Sequence, residues 1–449
     1  MSYKETIDYL YNLQLHGIRP GLARIATLMS ILDHPEAAFQ SVHIAGTNGK
    51  GSTAAMVASV LTKSGYRVGL YTSPHLIDFS ERIRICGLPI SEEAIIRLTE
   101  TIRAKMEIRS PRLAKKITFF EFTSALAFLY FAENEVEFAV VEVGMGGRFD
   151  ATNCLKPLVT AITQIDFDHE RYLGTTLLEI AREKAGVIKK GVPLVTGVRQ
   201  AEVSALIEKT AQSLQAPLFR LGKEIRVSAK AIRNPAWALS MELYYEGSEA
   251  FHFALNLLGR HQADNAALAL GIIERLQEQG ILISKTDITD GFKQTQTEGR
   301  LEVIQTHPII LLDVAHNPSG TRVLADYLKE TEDPFFGKRW LIAGVMRDKN
   351  IKEILRPLLA CADEVVLTRP NMDRAALPQD IASGPLAELM AEEGRDDLFV
   401  SIRDTIAEAL ADVESRIQSQ DRLVITGSCF TVGEARAEFL GTRASPIRG

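Results

Sequence analysis

The sequence is poor in the features that mark secreted, membrane-spanning and nucleic-acid-binding proteins. Four cysteines in 449 residues lie far apart without metal-binding spacing, so we expect reduced, mostly buried thiols instead of disulfides. No apolar run reaches the roughly 18 residues that a membrane span needs, and the polar N-terminus predicts no secretion signal. The net charge is −6 and Lys and Arg form no cluster, which argues against a nucleic-acid partner. We expect a cytoplasmic, monomeric protein.

The apolar pattern predicts an α/β protein with more than one domain. The chain is 46% apolar and 24% charged, and its 449 residues exceed one ordinary core. Buried strands alternate with helices between residues 40 and 200, which indicates a doubly wound parallel sheet. Residues 224–256 alternate in polarity around a turn at Gly247 and predict a small antiparallel sheet. A second α/β series follows the polar segment 294–299. The predicted domains are residues 1–296 and 297–449.

A glycine-rich loop follows the first predicted strand. The strand, residues 42–45, leads into GTNGKGS at 46–52, and a helix is predicted from Ser52 to Lys63. Loop N–H groups, a helix N-terminus and Lys50 together favour a bound phosphate. A plain tight turn is the alternative, but the lysine and the flanking elements favour phosphate. Gly51 stands where such loops usually carry a magnesium-binding hydroxyl, so the metal needs ligands elsewhere.

Polar side chains follow the later strands of this predicted sheet. Ser73 follows the second strand, Glu142 ends the third, and His169 follows the fourth. Ligands of open α/β sheets bind outside the carboxyl ends of the strands. A hydroxyl, a carboxylate and an imidazole beside bound phosphate suit Mg²⁺, with water completing the shell. Considered singly, Glu142 could be a solvated carboxylate and His169 an exposed histidine. The position of all three residues at one edge of the sheet favours a metal site.

Lys184 interrupts the apolar face of the helix predicted from Thr176 to Lys190. Its neighbours on that face are Leu177, Ile180, Ala181 and Ile188. The alternative is that the lysine stem packs while the ammonium reaches solvent. A desolvated lysine has a lowered pKa and is nucleophilic when neutral. Such an amine captures CO₂ as a carbamate, which is a carboxylate-like metal ligand.

The second half offers residues that suit a nucleotide. Asp313 ends the strand that opens this half, and Arg300 lies just upstream. An aspartate and an arginine at a strand end suit a ribose and its phosphates. The alternative is that Asp313 only caps a helix and Arg300 is an ordinary surface arginine. Asn265, in the helix after GRHQ at 259–262, is a reasonable amide contact for a purine.

These motifs together resemble the folylpolyglutamate synthase/dihydrofolate synthase family of the Mur ligase superfamily. The resemblance runs from about Tyr9 to Val432, and several motifs in order are more specific than one glycine loop. The motifs are HIAGTNGKGS (43–52), TSPHL (72–76), SERIRI (80–85), TFFEF (118–122), VVEVGMGGRFDATN (140–153), IDFDH (165–169), REKAGVIK (182–189), GRHQADNA (259–266), GRLE (299–302), LDVAHNP (312–318) and GVMRDKN (344–350).

The resemblance implies an ATP- and Mg²⁺-dependent ligase that joins L-glutamate to a folate carboxylate through an acyl phosphate. It implies a P-loop N-terminal domain with a small antiparallel sheet and a Rossmann-like C-terminal domain, which close around ATP. K⁺ or a second Mg²⁺ is a further candidate ligand. The implied residues are, for ATP, Thr47, Asn48, Gly49, Lys50, Gly51, Ser52, Asn265, Arg300, Asp313 and His316; for the metal, Ser73, Glu142, His169 and carbamylated Lys184; for catalysis, Lys50, Lys184, His169 and Arg300; and for the pteroate pocket, Thr118, Phe119, Phe120, Glu121, Phe149, Asp150 and Ala151.

Three alternatives remain beside a bifunctional enzyme acting on dihydropteroate and reduced folates. One is an enzyme limited to folate extension, because such members share most motifs; the TSPHL version is closer to bifunctional members. Another is a Mur-type ligase for a different carboxylate, against which the aromatic Phe119 and Phe120 argue. The last is a nucleotide-switch module, which would not need Glu142 with Lys184. Ser428 is a guess for glutamate recognition.

Overall fold

The structure is a computed structural model with two α/β lobes, each built on its own sheet. It describes residues 1–17, 19–235, 238–245, 251–333, 336–442 and 444. The predicted turn at Gly247 lies outside these residues. Within the described residues, no helix is both long enough and apolar enough to cross a membrane. The helices are α1 (Tyr3–Asn12), α2 (Ala23–Ile31), α3 (Lys50–Lys63), α4 (Glu92–Arg109), α5 (Pro111–Ala114), α6 (Phe119–Glu133), α7 (Glu170–Leu173), α8 (Leu177–Ala185), α9 (Ala201–Ser213), α10 (His261–Glu278), α11 (Lys285–Gln294), α12 (Pro318–Glu330), α13 (Ile351–Leu359), α14 (Pro378–Ile381), α15 (Ala387–Glu393), α16 (Ile406–Glu414) and α17 (Cys429–Phe439).

The first lobe contains an eight-stranded sheet and a separate three-stranded antiparallel sheet. The strand order is β4-β3-β2-β5-β1-β6-β7-β8 in the eight-stranded sheet and β11-β10-β9 in the three-stranded sheet. The predicted doubly wound sheet is present, but it is mixed, because β3 and β4 join its edge as an antiparallel hairpin. The strands are β1 (Gln40–Ala45), β2 (Val68–Tyr71), β3 (Ile83–Ile85), β4 (Leu88–Pro89), β5 (Phe138–Glu142), β6 (Val159–Ile162), β7 (Leu194–Thr196), β8 (Leu218–Arg220), β9 (Val227–Arg233), β10 (Leu239–Tyr245) and β11 (Phe251–Ala254).

The second lobe contains a six-stranded sheet in the order β12-β13-β17-β14-β15-β16. Its strands are parallel except β12, which pairs antiparallel with β13. This sheet begins after the irregular segment 295–301, where the sequence predicts a linker; the exact division at 296/297 stays a prediction. The strands are β12 (Glu302–Thr306), β13 (Ile309–Leu312), β14 (Arg339–Ala343), β15 (Glu364–Leu367), β16 (Phe399–Ile402) and β17 (Arg422–Thr426).

Apolar cores cover both faces of the first sheet and also join the lobes. One face packs against α1, α2, α4 and α6, and the other against α3, α10 and the three-stranded sheet. Leu76 and Ile77, in the loop after β2, are buried together with Val314 and Val432 of the second lobe. The two lobes are therefore held together by apolar contact beside the carboxyl ends of the first sheet.

Three local predictions need correction. Helix α3 begins at Lys50 instead of Ser52, because Gly49 takes the left-handed conformation (φ 83°) that turns the chain into the helix. Helix α8 ends at Ala185, not Lys190; Gly186 caps it and packs so closely on the backbone of Arg148 that a side chain would not fit there. The cysteines are free as expected, but they are not mostly buried, since only Cys361 is buried and Cys86 is exposed.

Candidate active site

The glycine loop is fixed to the end of β6. Thr163 donates its hydroxyl to the Asn48 carbonyl at 2.7 Å, and the Thr47 hydroxyl contacts the backbone of Asp166 at 3.0–3.1 Å. Gly46 lies so close to Thr163 that an added Cβ would fall 1.9 Å from its hydroxyl oxygen, so only glycine fits. Lys50 reaches back and donates to the Thr47 carbonyl at 3.0 Å. The loop is thus held in a fixed conformation at the N-terminus of α3, where the sequence predicts a phosphate cradle.

Glu142 lies directly beside this cradle. It ends β5 opposite Ile44 of β1, which brings its carboxylate to the carboxyl edge of the sheet. The side chain is buried, 3.9 Å from the Lys50 ammonium, and it accepts the Ser73 amide at 3.1 Å. Burial raises the pKa of Glu142, while Lys50 and the Ser73 amide oppose that rise. The absent side chain at Gly51 leaves the carboxylate uncovered on the loop side.

Lys184 is buried, as its interruption of the apolar stripe requires. Only 4% of its surface is exposed, and its ammonium donates to the Gly46 carbonyl at 2.8 Å. Burial, together with the nearby Lys50 charge, lowers the pKa of Lys184 to about 7. The snorkelling alternative is therefore wrong. A lysine beside the phosphate cradle is instead held in the range where it is partly neutral at physiological pH.

His169 begins the short helix α7 in the left-handed conformation (φ 51°). Its side chain is 42% exposed, yet partial burial lowers its pKa to about 4, with Lys349 and Lys50 acting the same way. The imidazole is therefore neutral at pH 7, which is the form that binds metal. The Lys50 charge acts on Glu142, on Lys184 and on His169 alike, so all three side chains lie within electrostatic range of Lys50.

Arg300 and Asp313 face this position from the second half. Asp313 accepts the amides of Leu301 and Ala315, each at 2.9 Å, so it fixes the backbone on both sides of the site. Arg300 acts electrostatically on Asp313 and on Glu142. Among the described residues its guanidinium makes no hydrogen bond and no ion pair, so it is available to an anion. His316 donates Nδ1–H to the Val314 carbonyl at 2.8 Å.

Asp168 joins the two lobes, a role that the sequence did not reveal. Its buried carboxylate receives the Lys349 ammonium, the Asn317 amide at 3.3 Å and His316 Nε2 at 3.4 Å. Burial opposes ionisation, but these donors hold the pKa of Asp168 well below its usual range. Asn48 of the glycine loop pairs with Asn317 at 3.0 Å in the same seam. The predicted motifs IDFDH, LDVAHNP and GVMRDKN contain these residues, so the signal was present without its geometry.

The predicted pteroate pocket contains residues that also organise its own loops. Thr118 and Glu121 form a capping box at the start of α6, and Glu121 also pairs with Arg24 at 2.9 Å. Asp150 accepts the amides of Met145 and Thr152, each at 3.0 Å, so its carboxylate shapes the glycine run 144–147.

The aromatic side chains of this predicted pocket differ in exposure. The Phe120 ring covers Gly144, where an added Cβ would fall 2.4 Å from the ring. Phe149 is 47% exposed at the loop tip, while Ala151 and Phe119 are buried. An exposed ring beside a glycine run suits a flat ligand.

Two predicted contacts have local partners. Asn265 touches Gly49 and donates to Gln262 at 2.9 Å, which places it at the cradle. Ser428, the guess for glutamate recognition, caps α17: its hydroxyl accepts the Thr431 amide at 3.0 Å and contacts the Thr431 hydroxyl at 2.8 Å.

The residues around Lys50 fit a magnesium ion that is completed by a phosphate. Within the described residues, no group of three or more His, Cys, Asp and Glu side chains could hold a metal ion. Mg²⁺ usually keeps several waters and binds one or two carboxylates together with substrate phosphates. Glu142, uncovered beside the cradle, with neutral His169 and Ser73 nearby, is a donor set of that kind.

Comparisons with known proteins agree with this geometry. Residues 44–273 match the Mur ligase middle domain, and residues 299–429 match the Mur ligase, glutamate ligase domain. The fold and the site therefore define a two-domain Mur ligase.

Similarity to individual proteins extends over nearly the whole chain. The dihydrofolate synthase/folylpolyglutamate synthase of Bacillus subtilis is 34% identical, over 97% of this chain and 98% of that protein. Mycobacterium tuberculosis folylpolyglutamate synthase complexed with ADP superposes with a TM-score of 0.86 at 32% identity, covering 98% and 99%. The Escherichia coli protein in complex with DHPP and ADP gives 0.84 at 27% identity, covering 98% of each chain. The chain belongs to the folylpolyglutamate synthase/dihydrofolate synthase family.

Proposed function

We propose that this chain is an ATP-dependent ligase that adds L-glutamate to dihydropteroate and to reduced folates. The observation that carries the proposal is the convergence of Glu142, His169 and Lys184 on Lys50, with Arg300 facing them from the second half. Lys50 and Arg300 would supply positive charge beside the transferring phosphate oxygens, where negative charge develops during phosphoryl transfer. Membership of the family and its folate-ligase relatives support the same reaction.

The reaction needs an activated carboxylate that is protected from water. ATP phosphorylates the acid, giving an acyl phosphate and ADP; the glutamate amine then attacks the acyl carbon, and phosphate leaves. Lys50 and the loop amides hold the phosphates, and Arg300 supplies a second positive charge. The seam around Asp168 holds the lobes together over the site, which excludes water from the acyl phosphate.

The residues that would hold Mg²⁺ are Glu142, Ser73 and His169. K⁺ or a second Mg²⁺ would be a further bound ion in the same cavity. A bound Mg²⁺ would neutralise phosphate charge during the transfer. Lys184 would act after reacting with CO₂: its neutral amine forms a carbamate and releases a proton. The resulting anion would face the same cavity, since the Lys184 ammonium already lies at Gly46.

We favour dual activity because the residues predicted to bind pteroate lie next to the glycine run that follows Glu142. The exposed Phe149, the Phe120 ring and the glycine run 144–147 suit a pteridine, whether or not a glutamate is already attached. Pockets for ATP and Mg²⁺ would serve both substrates alike. A ligase limited to folate extension, or one acting on another carboxylate, is the second candidate.

The chain supplies both sides of the site by itself, which supports action as a monomer; size-exclusion chromatography with light scattering tests this. Four free thiols and an ATP requirement suit the reducing, ATP-rich cytoplasm. Nucleic acid and membranes are not proposed partners.

A coupled assay tests the proposal. Purified protein is incubated with ATP, Mg²⁺ and L-glutamate, and with either dihydropteroate or tetrahydrofolate, while ADP release is followed. We expect glutamate-dependent ADP release with both acids. Release with tetrahydrofolate alone favours the folate-extending candidate, and release with neither acid refutes the proposal.

A further inference from the structure

Three arginines are buried among the described residues, and one of them has no carboxylate partner. Arg275 is paired with Glu274 and Glu278, each at 2.7 Å. Arg422 is paired with Glu332 at 2.8 Å. Arg82 is 6% exposed, and it makes no ion pair with any described residue. A buried guanidinium without an anion is costly, so a bound anion would stabilise Arg82.

Neighbouring side chains hold Arg82 in a fixed orientation. Its Nε–H donates to Nδ1 of the buried His75 at 2.7 Å. Nδ1 is therefore the acceptor nitrogen, and Nε2, at 3.2 Å from the Tyr11 hydroxyl, carries the ring proton. Because Nδ1 accepts the bond from Arg82, it carries no proton, so the ring is neutral and provides no counter-charge.

The free end of the guanidinium is open to a ligand. Neither terminal nitrogen of Arg82 has a hydrogen-bond partner among the described residues, and neither nitrogen is fully buried. Both therefore keep contact with solvent, and they form the flat fork that suits a carboxylate.

The position of this fork identifies the ligand. The guanidinium carbon lies 5.3 Å from the centre of the Phe119 ring, which belongs to the predicted pteroate pocket. The same charge acts on Glu142 beside the phosphate cradle and on Cys429 at the start of α17. Arg82 thus lies against a residue of the predicted pteroate pocket and within electrostatic range of Glu142 beside the cradle, where an aromatic acid would present its carboxylate for phosphorylation.

We propose that Arg82 binds the carboxylate of the acid substrate and orients it toward the phosphate cradle. This rests on the proposed function, because it assigns the acid-binding part of that site. His75 and Tyr11 are positioning residues that hold the fork through Nε, leaving both terminal nitrogens for the two carboxylate oxygens. The ligand class is an aromatic or peptidyl carboxylate, while the neutral amide of the same acid lacks the charge that the fork recognises.

Binding of an acid and its amide tests the assignment without turnover. Dihydropteroate and its carboxamide are titrated calorimetrically into the full chain with ADP and without L-glutamate. We expect the wild-type protein to bind the acid about 30-fold more tightly than the amide. In Arg82→Gln this ratio should fall to about 3 or less, because the variant loses affinity for the acid but not for the amide. Arg82→Lys keeps the charge but not the fork, and should lie between them.

Arg275→Gln is the matched control, since it removes a buried arginine that also lies over an aromatic ring but is not part of the proposed site. It should retain the wild-type ratio. Where Arg82→Gln does not fold, Arg82→Lys with the acid/amide ratio decides the matter. A wild-type protein that binds acid and amide equally, or an Arg82 variant with the wild-type ratio, overturns the assignment. Binding of neither compound to the wild-type protein refutes the folate-ligase function itself.

Discussion

Lys184 offers the sharpest quantitative prediction. Its pKa falls from the usual 10.5 to about 7 on burial, so about half of the amines are neutral at pH 7, against roughly 0.03% for an exposed lysine. The neutral fraction, which reacts with CO₂, is therefore about a thousandfold larger. Keeping the ammonium charged in this site would cost about 5 kcal/mol, at 1.36 kcal/mol per pKa unit. Carbamate formation removes that cost.

The pH dependence follows from the direction of this shift. Between about pH 7 and 10.5 the unfolded lysine binds a proton that the folded lysine does not, so without CO₂ the free energy of unfolding rises with pH across this window. Below pH 7 the buried amine becomes protonated and stops reacting with CO₂. We therefore expect enzyme stripped of CO₂ at pH 6 to be inactive, and to regain activity on adding bicarbonate at pH 8.

The measurement combines activity with ¹³C NMR after adding labelled bicarbonate. We expect one carbamate signal in the wild-type protein and in Lys190→Ala, which removes an exposed lysine six positions further on. Lys184→Ala should lose both the signal and turnover, with partial recovery of turnover on adding acetate or formate. Normal activity of Lys184→Ala would refute the carbamate, as would a wild-type enzyme indifferent to CO₂ removal.

Three further predictions follow from single contacts. Lys50→Met should lower kcat by about 10²–10³-fold, because it removes one fixed cation from the transferring phosphate; steady-state ADP release measures this, and unchanged kinetics would contradict the cradle. Asp168→Asn should weaken the seam between the lobes, which should increase the radius of gyration in X-ray scattering without ligands and raise the KM for ATP. Glu330→Gln, which removes the exposed pair with Arg260, should change neither quantity. Equal effects in both variants would count against the seam. Ser428→Ala should lower the free energy of unfolding in urea by about 1 kcal/mol, because a helix cap is lost, and should leave the KM for glutamate unchanged; a large rise in that KM would restore the sequence-based guess.

The sequence predicted the position in the fold of those candidate residues whose signal is local. The phosphate cradle is a contiguous run, and Lys184 is visible because it breaks an apolar stripe within one helix. Glu142 was placed correctly because parallel strands bring their carboxyl ends to one edge. Each of these predictions depends only on neighbours in the chain and on the regular geometry of helices and sheets.

The sequence could not reveal contacts that depend on how the lobes meet. Asp168 and Lys349 are 181 residues apart, and Asn48 and Asn317 are 269 apart, so no periodicity connects them. The unpaired state of Arg82 is likewise a property of packing, because any arginine looks the same in a sequence. Strands β12 and β16 lie at sheet edges and are only partly buried, so their apolar pattern in the sequence is weak.

The account depends on activation of an acid by phosphorylation and its capture by an amine. Dihydropteroate labelled with ¹⁸O in its carboxylate tests this directly when it is converted in the presence of ATP, Mg²⁺ and L-glutamate. The account predicts that each turnover transfers one labelled oxygen from the carboxylate to inorganic phosphate, detectable by ³¹P NMR or mass spectrometry. Amide formation that leaves the phosphate unlabelled would contradict it.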